Sequence, residues 1–157
     1  MKSFIIPCRI AVLPETGGKE EESMTFNKVM FSSVRMDWET PDKILIDLNK
    51  EFGELFDPCP IEHDLDMLKV EWNSRNFINP PYGREIGKWL EKGYKESLKG
   101  KLCVFLIPSR TDTKWWHDYV MKAKEIRFIK GRLKFKGAKN SAPFPSCIVI
   151  FDGRRKA

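Results

Sequence analysis

Residues Leu102–Ile107 read Leu-Cys-Val-Phe-Leu-Ile, six apolar side chains with no polar interruption. The run is too short to cross a membrane, and lacks the alternation of a strand wetted on one face. A strand of this kind must be covered on both faces, which calls for a sheet with helices packed over it. The flanking sequence supplies them. A helix over about Arg84–Lys99 carries Ile86, Trp89, Leu90 and Tyr94 at helical spacing and closes at Gly100. A second, Thr113–Ala123, carries Trp115, Trp116, Tyr119 and Val120. Upstream, Thr40 as N-cap and Pro41 in the first turn open a helix with Ile44, Leu45, Leu48 and Phe52 on one face, ended by Gly53. Short strands are predicted at Leu55–Phe56, Asn76–Ile78, Glu125–Ile129, Leu133–Phe135 and Ser146–Phe151. This alternation predicts an α/β sandwich around a mostly parallel sheet, with an antiparallel strand pair at the C-terminal end.

At 157 residues and 41% hydrophobic content the chain suits one core and excludes wholesale disorder. Residues 1–23, with Gly17–Gly18 and the acidic run Glu20–Glu22, read as an N-terminal extension; 24–157 read as the domain, and Met24 is an alternative start. Pro7 and Arg9 interrupt the apolar letters near the N-terminus, so neither a signal peptide nor a membrane span is expected, and the expected location is the cytoplasm. Cys8, Cys59, Cys103 and Cys147 are widely spaced and only His63 and His117 could join them, which favours free thiols over zinc or a disulfide framework; no metal is expected.

Charge is distributed unevenly. Residues 1–75 hold 9 Lys/Arg against 15 Asp/Glu, whereas residues 114–157 hold 12 against 3. Such a gradient favours a polyanionic partner at the basic end. The densest stretch comprises Arg127, Lys130, Arg132, Lys134, Lys136 and Lys139, and its alternation places Lys130, Arg132, Lys134 and Lys136 on one side of an extended segment. A solvated strand face is the plainer alternative.

Two loops expected at the carboxyl edge of the sheet, where ligands bind in open parallel sheets, are unusual: Asp57-Pro58-Cys59-Pro60 and Asn79-Pro80-Pro81-Tyr82. Consecutive prolines fix φ and stiffen the second loop. The Asn79 side-chain oxygen and the carbonyl between the prolines can then converge as two acceptors, with the Tyr82 ring beside them. Two acceptors suit an aromatic amino group. Holding both its hydrogens draws the nitrogen lone pair out of ring conjugation and toward an electrophile, without a strong base. The structural alternative is a rigid turn capped by Asn79.

The string Asn79-Pro80-Pro81-Tyr82 resembles motif IV of amino-methylating S-adenosylmethionine-dependent methyltransferases. More narrowly, Trp38–Phe151 resembles the phage-type DNA adenine methyltransferases. The similarity lies in Trp38-Glu39-Thr40-Pro41, Phe56–Pro60, Asn79–Gly83, Ile107–Thr113, Gly131–Phe135 and Ala142–Ser146, six blocks in one order over about three-quarters of the chain. The resemblance implies a reduced Rossmann-like methyltransferase fold that moves a methyl group from S-adenosylmethionine to the 6-amino group of adenine in DNA. It implies that Asn79, Pro80 and Tyr82 hold the adenine. Thr40, Pro41, Asp57, Pro58 and Cys59 would meet the cofactor. Phe135 would pack on an extruded base, since a duplex hides the amino group. Arg110 and the basic stretch would meet DNA.

The pattern is also departed from. Prolines and a cysteine replace the usual glycines in the first loop. About twenty residues separate it from motif IV, leaving Glu62, Asp64 and Asp66 as positional candidates for ribose binding. No separate target-recognition domain fits. Methylation of the cytosine amino group or of an RNA base, and a catalytically inactive nucleic-acid-binding module, are the competing readings. Cys59 as a nucleophile on a cytosine ring is rejected, because that chemistry puts its cysteine in the loop held here by Asn79–Tyr82. Trp89, Trp115 and Trp116 read as core, and His117 as structural or surface. Asp112 is as well suited to a helix N-cap or loop salt bridge as to a role in the site. Oligomeric state is not readable from these residues.

Overall fold

The computed structural model describes residues 9–13, 38–59 and 66–155. Cys8, Met24, Pro60, Glu62, His63 and Asp64 lie outside the described residues, as does most of the 1–23 segment. The elements are β1 (Arg9–Leu13), α1 (Asp42–Phe52), β2 (Arg75–Ile78), α2 (Ile86–Leu98), β3 (Leu102–Pro108), α3 (Lys114–Asp118), a 3-10 turn (Val120–Lys122), β4 (Glu125–Ile129) and β5 (Ser146–Asp152).

They form a mixed α/β fold around one open sheet of order β1-β4-β5-β3-β2. The β1–β4 and β2–β3 pairings are parallel, whereas β5 is antiparallel to both β3 and β4. Four strands therefore run one way and only β5 is reversed. The carboxyl ends of β2, β3 and β4 emerge at one edge, and β5 enters from it.

The core follows the sequence pattern. All of β3 is buried, and so is β5 over Ser146–Phe151. Each large apolar side chain buried there contributes roughly 1.5–3 kcal/mol. Trp72 lies against Trp89 and Phe105 at ring distances of 6.0 and 6.4 Å. Gly93 brings α2 onto the Phe105 ring so closely that a Cβ there would stand 2.3 Å from Phe105 Cε2. Trp89 and Trp116 are buried in the core as expected, and Trp115 is half-buried against it.

Several local expectations are corrected. Leu133–Phe135 is not a strand: both sides of β4 are already taken, by β1 and β5, so no ladder position is left for it beside β4. It is instead an extended loop between Gly131 and Gly137, both in the left-handed region at φ 77° and 75°. The predicted Thr113–Ala123 helix stops at Asp118, turns at Tyr119 (φ −125°) and resumes as the 3-10 turn that buries Val120. Thr113, not Asp112, caps it, its hydroxyl accepting from the Trp116 N–H. For α1 the N-cap is Pro41, one residue later than predicted. The Thr40 side chain makes no cap and is used elsewhere. Leu55–Phe56 is reduced to one parallel bridge, in which Phe56 N–H donates to Arg75 O (3.0 Å) and Phe77 N–H to Phe56 O (2.8 Å).

Among the described residues no helix is long and apolar enough to cross a membrane. Cys103 and Cys147 are buried free thiols with pKa values pushed up to about 12 by loss of solvation.

Candidate active site

Strand β2 ends in Ile78, fully buried, and runs straight into the Asn79–Tyr82 corner. Pro80 and Tyr82 are buried and Asn79 is half-buried. The Asn79 amide nitrogen donates to the Trp38 carbonyl and, at 3.1 Å, to Thr40 Oγ1. Its oxygen Oδ1 is buried and has no hydrogen-bond partner among the described residues. An amide carries two donor hydrogens on one end and acceptor lone pairs on the other. Here the donor end is held by the segment leading into α1, and the acceptor end remains for a ligand. A buried acceptor without a partner costs about 1–3 kcal/mol, so such a group is a candidate for function.

Tyr82 closes the corner from below. Its hydroxyl donates to Leu106 O at 3.2 Å, tying the loop to the neighbouring strand β3. Its ring makes edge contacts with Phe135 (6.2 Å) and Phe144 (5.4 Å), and Trp38 packs on the same two residues at 5.2 and 5.9 Å. Burial, with the nearby Cys147, pushes the Tyr82 pKa well above 10. The phenol therefore stays a donor at neutral pH and is no general base. The sequence expectation that Phe135 faces an extruded base is not met in this conformation: at 1% exposure it is an interior member of this aromatic cluster. The reason is its place between Trp38 and Phe144, which close over it. The Tyr82 ring, expected to offer a face, is likewise buried among these aromatic contacts.

The first loop leaves the same sheet edge, because Phe56 pairs in parallel with Asn76. Asp57 Oδ1 accepts from Cys59 N–H at 2.7 Å, so the carboxylate folds its own loop into a turn; Pro58 is buried and Cys59 half-buried. Of the ribose candidates only Asp66 is described; it is exposed, caps the Leu68 N–H and pairs with Lys69 at 3.0 Å. After β3, Arg110 is exposed, its carbonyl accepting from the Thr113 hydroxyl at 2.8 Å. The exposed His117 ring lies 2.8 Å from Thr111 O.

The basic stretch divides in two. Lys130, Arg132, Lys134, Lys136 and Lys139 are exposed, and Arg132, Lys134 and Lys136 alternate with buried Leu133 and Phe135. Lys136 also binds back: its backbone N–H donates to Glu39 O (3.0 Å), and its ammonium pairs with Glu39 and Asp42 at 3.3 Å each. Arg127 is a correction to the nucleic-acid set. Its guanidinium is held by both Glu51 oxygens (2.6 and 2.5 Å) and by Glu125 (2.8 Å), with 13% of the side chain exposed, so its charge is neutralised inside the α1–β4 contact.

Trp38 and Phe144 are the site residues to which sequence reasoning gave no role. Both sit in blocks of the family resemblance, yet Trp38 is 41 positions from Asn79 and no spacing links them. The chain matches the family model described as DNA N-6-adenine-methyltransferase (Dam) over residues 27–153. No curated protein and no solved structure matches it.

Proposed function

The chain belongs to the Dam family of DNA N-6-adenine-methyltransferases, and from that premise we propose that the Asn79–Tyr82 corner is where the adenine amino group is held during methyl transfer. The activity is methylation of the 6-amino group of adenine in DNA, which requires DNA as substrate and a methyl donor. The observation that carries the assignment to this corner is the Asn79 amide, anchored at its nitrogen and, among the described residues, unpartnered at its buried oxygen.

We read the sheet as a reduced Rossmann-like methyltransferase sheet, with 24–157 as the working unit and S-adenosylmethionine as the donor. The residues present fit that group. Asp57 supplies a carboxylate and the Pro58, Cys59 and Thr40 carbonyls supply main-chain acceptors, the kind of group that an amino-acid ammonium and ribose hydroxyls recruit, while the Pro41 carbonyl is engaged by the Ile44 and Leu45 N–H groups of α1. When bound, S-adenosylmethionine supplies a methyl carbon on a positively charged sulfur. The protein's work is positional. Asn79 Oδ1 accepts one amino hydrogen and the Pro80 carbonyl the other, so the nitrogen lone pair is directed out of the ring plane. As the N–C bond formed, the bond from the methyl carbon to sulfur would break to leave a neutral thioether, and these acceptors would stabilise the positive charge passing to nitrogen. The methylated amine would then lose one proton to water, leaving the neutral N6-methyl group. Entry of an extruded base beside the corner requires the Trp38, Phe135 and Phe144 rings to part. Arg110, Lys130, Arg132, Lys134, Lys136 and Lys139 would track phosphates around that opening.

Asn79→Ala tests this reading. It should lower kcat for DNA methylation by about a hundredfold or more and leave the S-adenosylmethionine affinity, read by calorimetry, within about twofold of wild type. Turnover at the wild-type rate would remove Asn79 from the reaction.

A further inference from the structure

We propose that Thr40 is a positioning residue for the methyl-acceptor site, its hydroxyl holding the Asn79 amide fast in the orientation that the Trp38 carbonyl selects. The inference rests on the proposed role of Asn79 and adds to it. An Asn side chain can rotate by half a turn with little change in shape, exchanging oxygen for nitrogen, so a site that needs the oxygen must select one orientation. One group makes that selection here and a second, a hydroxyl able to donate or accept, restrains the amide once it is made. The Trp38 carbonyl can only accept, so it excludes the amide oxygen and takes one N–H. Thr40 Oγ1 lies 3.1 Å from the same nitrogen and takes the other. The two are contributed by alternate residues of one short segment, whose intervening Glu39 is pinned by the backbone bridge to Lys136. Thr40 is 7% exposed and makes no contribution to the α1 cap, although it stands one residue before it. Its hydroxyl is thus spent on a residue 39 positions away rather than on its own helix.

With both N–H groups anchored, Oδ1 is the atom left for the adenine amine. Without Thr40, one N–H loses its acceptor and the amide is held by the Trp38 carbonyl alone. The amide then rocks about that single bond, and the fraction of complexes with the oxygen in place falls. This mechanism affects the chemical step. It does not require any contact between the Thr40 hydroxyl and the cofactor.

The test compares Thr40→Val, which keeps the shape and removes the hydroxyl, with Thr40→Ser, which keeps the hydroxyl. For each variant, kcat and KM are measured on duplex DNA containing adenine targets, S-adenosylmethionine affinity is measured by calorimetry, and the Asn79 side-chain amide signals are followed by NMR in the unliganded protein. Thr40→Val is expected to lower kcat about tenfold with cofactor affinity and DNA KM within about twofold, and to shift and broaden the Asn79 NH2 signals. Thr40→Ser is expected to recover most of the rate and the wild-type signals. An unchanged kcat in Thr40→Val overturns the proposal. So does a loss confined to cofactor affinity, which would make Thr40 a cofactor contact, and so does failure of Thr40→Ser to recover the rate. If Thr40→Val does not fold, Thr40→Ala and the Asn79 amide signals in Thr40→Ser decide the matter by the same criteria. Asn79→Ala, run alongside, separates the two ideas. Full turnover in Asn79→Ala ends the reading of the corner itself, whereas its loss combined with normal Thr40→Val ends only the role of Thr40.

Discussion

Asn79 shows how much chemistry depends on one hydrogen-bond direction. Replacing it with aspartate keeps the size of the side chain but substitutes an acceptor for the donor that faces the Trp38 carbonyl. Asn79→Asp should therefore lower stability by about 1–3 kcal/mol, read from urea unfolding, besides lowering turnover. A variant as stable as wild type would mean that the Trp38 contact contributes nothing. Phe135 belongs to the same scale. It is buried among Trp38, Tyr82 and Phe144, and Phe135→Ala should cost about 3–5 kcal/mol whatever it does to DNA. A loss below about 1 kcal/mol would indicate that the aromatic cluster is open in solution.

At the scale of elements, α2 is joined to the sheet by a close backbone approach and by a buried charge. The approach is at Gly93, where an added methyl would meet the fully buried Phe105 ring. Gly93→Ala should therefore destabilise by about 1–3 kcal/mol, although alanine is the better helix former. The charge is Glu96, 1% exposed, near the C-terminal end of α2. It pairs with Lys92 (2.8 Å), Lys99 (3.0 Å) and Lys101 (2.5 Å), the last of which immediately precedes β3. Burial pushes the Glu96 pKa up, but the three lysine contacts together outweigh it and bring the carboxyl down to about 2 from 4.5. A carboxyl with a lowered folded-state pKa stabilises the fold fully above its unfolded value. That contribution, up to about 3 kcal/mol, is lost as pH falls from about 4.5 toward 2. Unfolding free energy measured from pH 6 to 3 should drop in wild type and be flatter in Glu96→Gln. Parallel pH profiles for the two proteins would show that Glu96 is not the titrating group.

For the whole molecule, the charge map of the sequence is redistributed by folding. Arg127 belongs to the basic stretch by position but to the α1–β4 contact by structure, whereas Lys134 is exposed beside the corner's aromatic cluster. Their alanine variants should separate cleanly. Lys134→Ala should lower the slope of log affinity for DNA against log salt by about one with little effect on stability. Arg127→Ala should leave the slope unchanged and cost about 1–3 kcal/mol of unfolding free energy. Equal slope changes would return Arg127 to the DNA-facing set.

What the amino-acid sequence determined by itself was local: the helix periodicities, the buried run of β3, the stiffness of Asn79-Pro80-Pro81-Tyr82 and the family pattern through which the reaction could be read. Each of these depends on φ restriction, side-chain spacing or a contiguous string, so neighbouring residues suffice. Three features were decided only in three dimensions. Strand β5 fills the place beside β4, which leaves Leu133–Phe135 as a loop. Glu51 neutralises Arg127 across 76 positions of chain. Trp38 and Thr40 orient the Asn79 amide. Hydrogen bonds and ion pairs choose partners by proximity in space, and that proximity depends on which sheet positions the rest of the chain has already occupied.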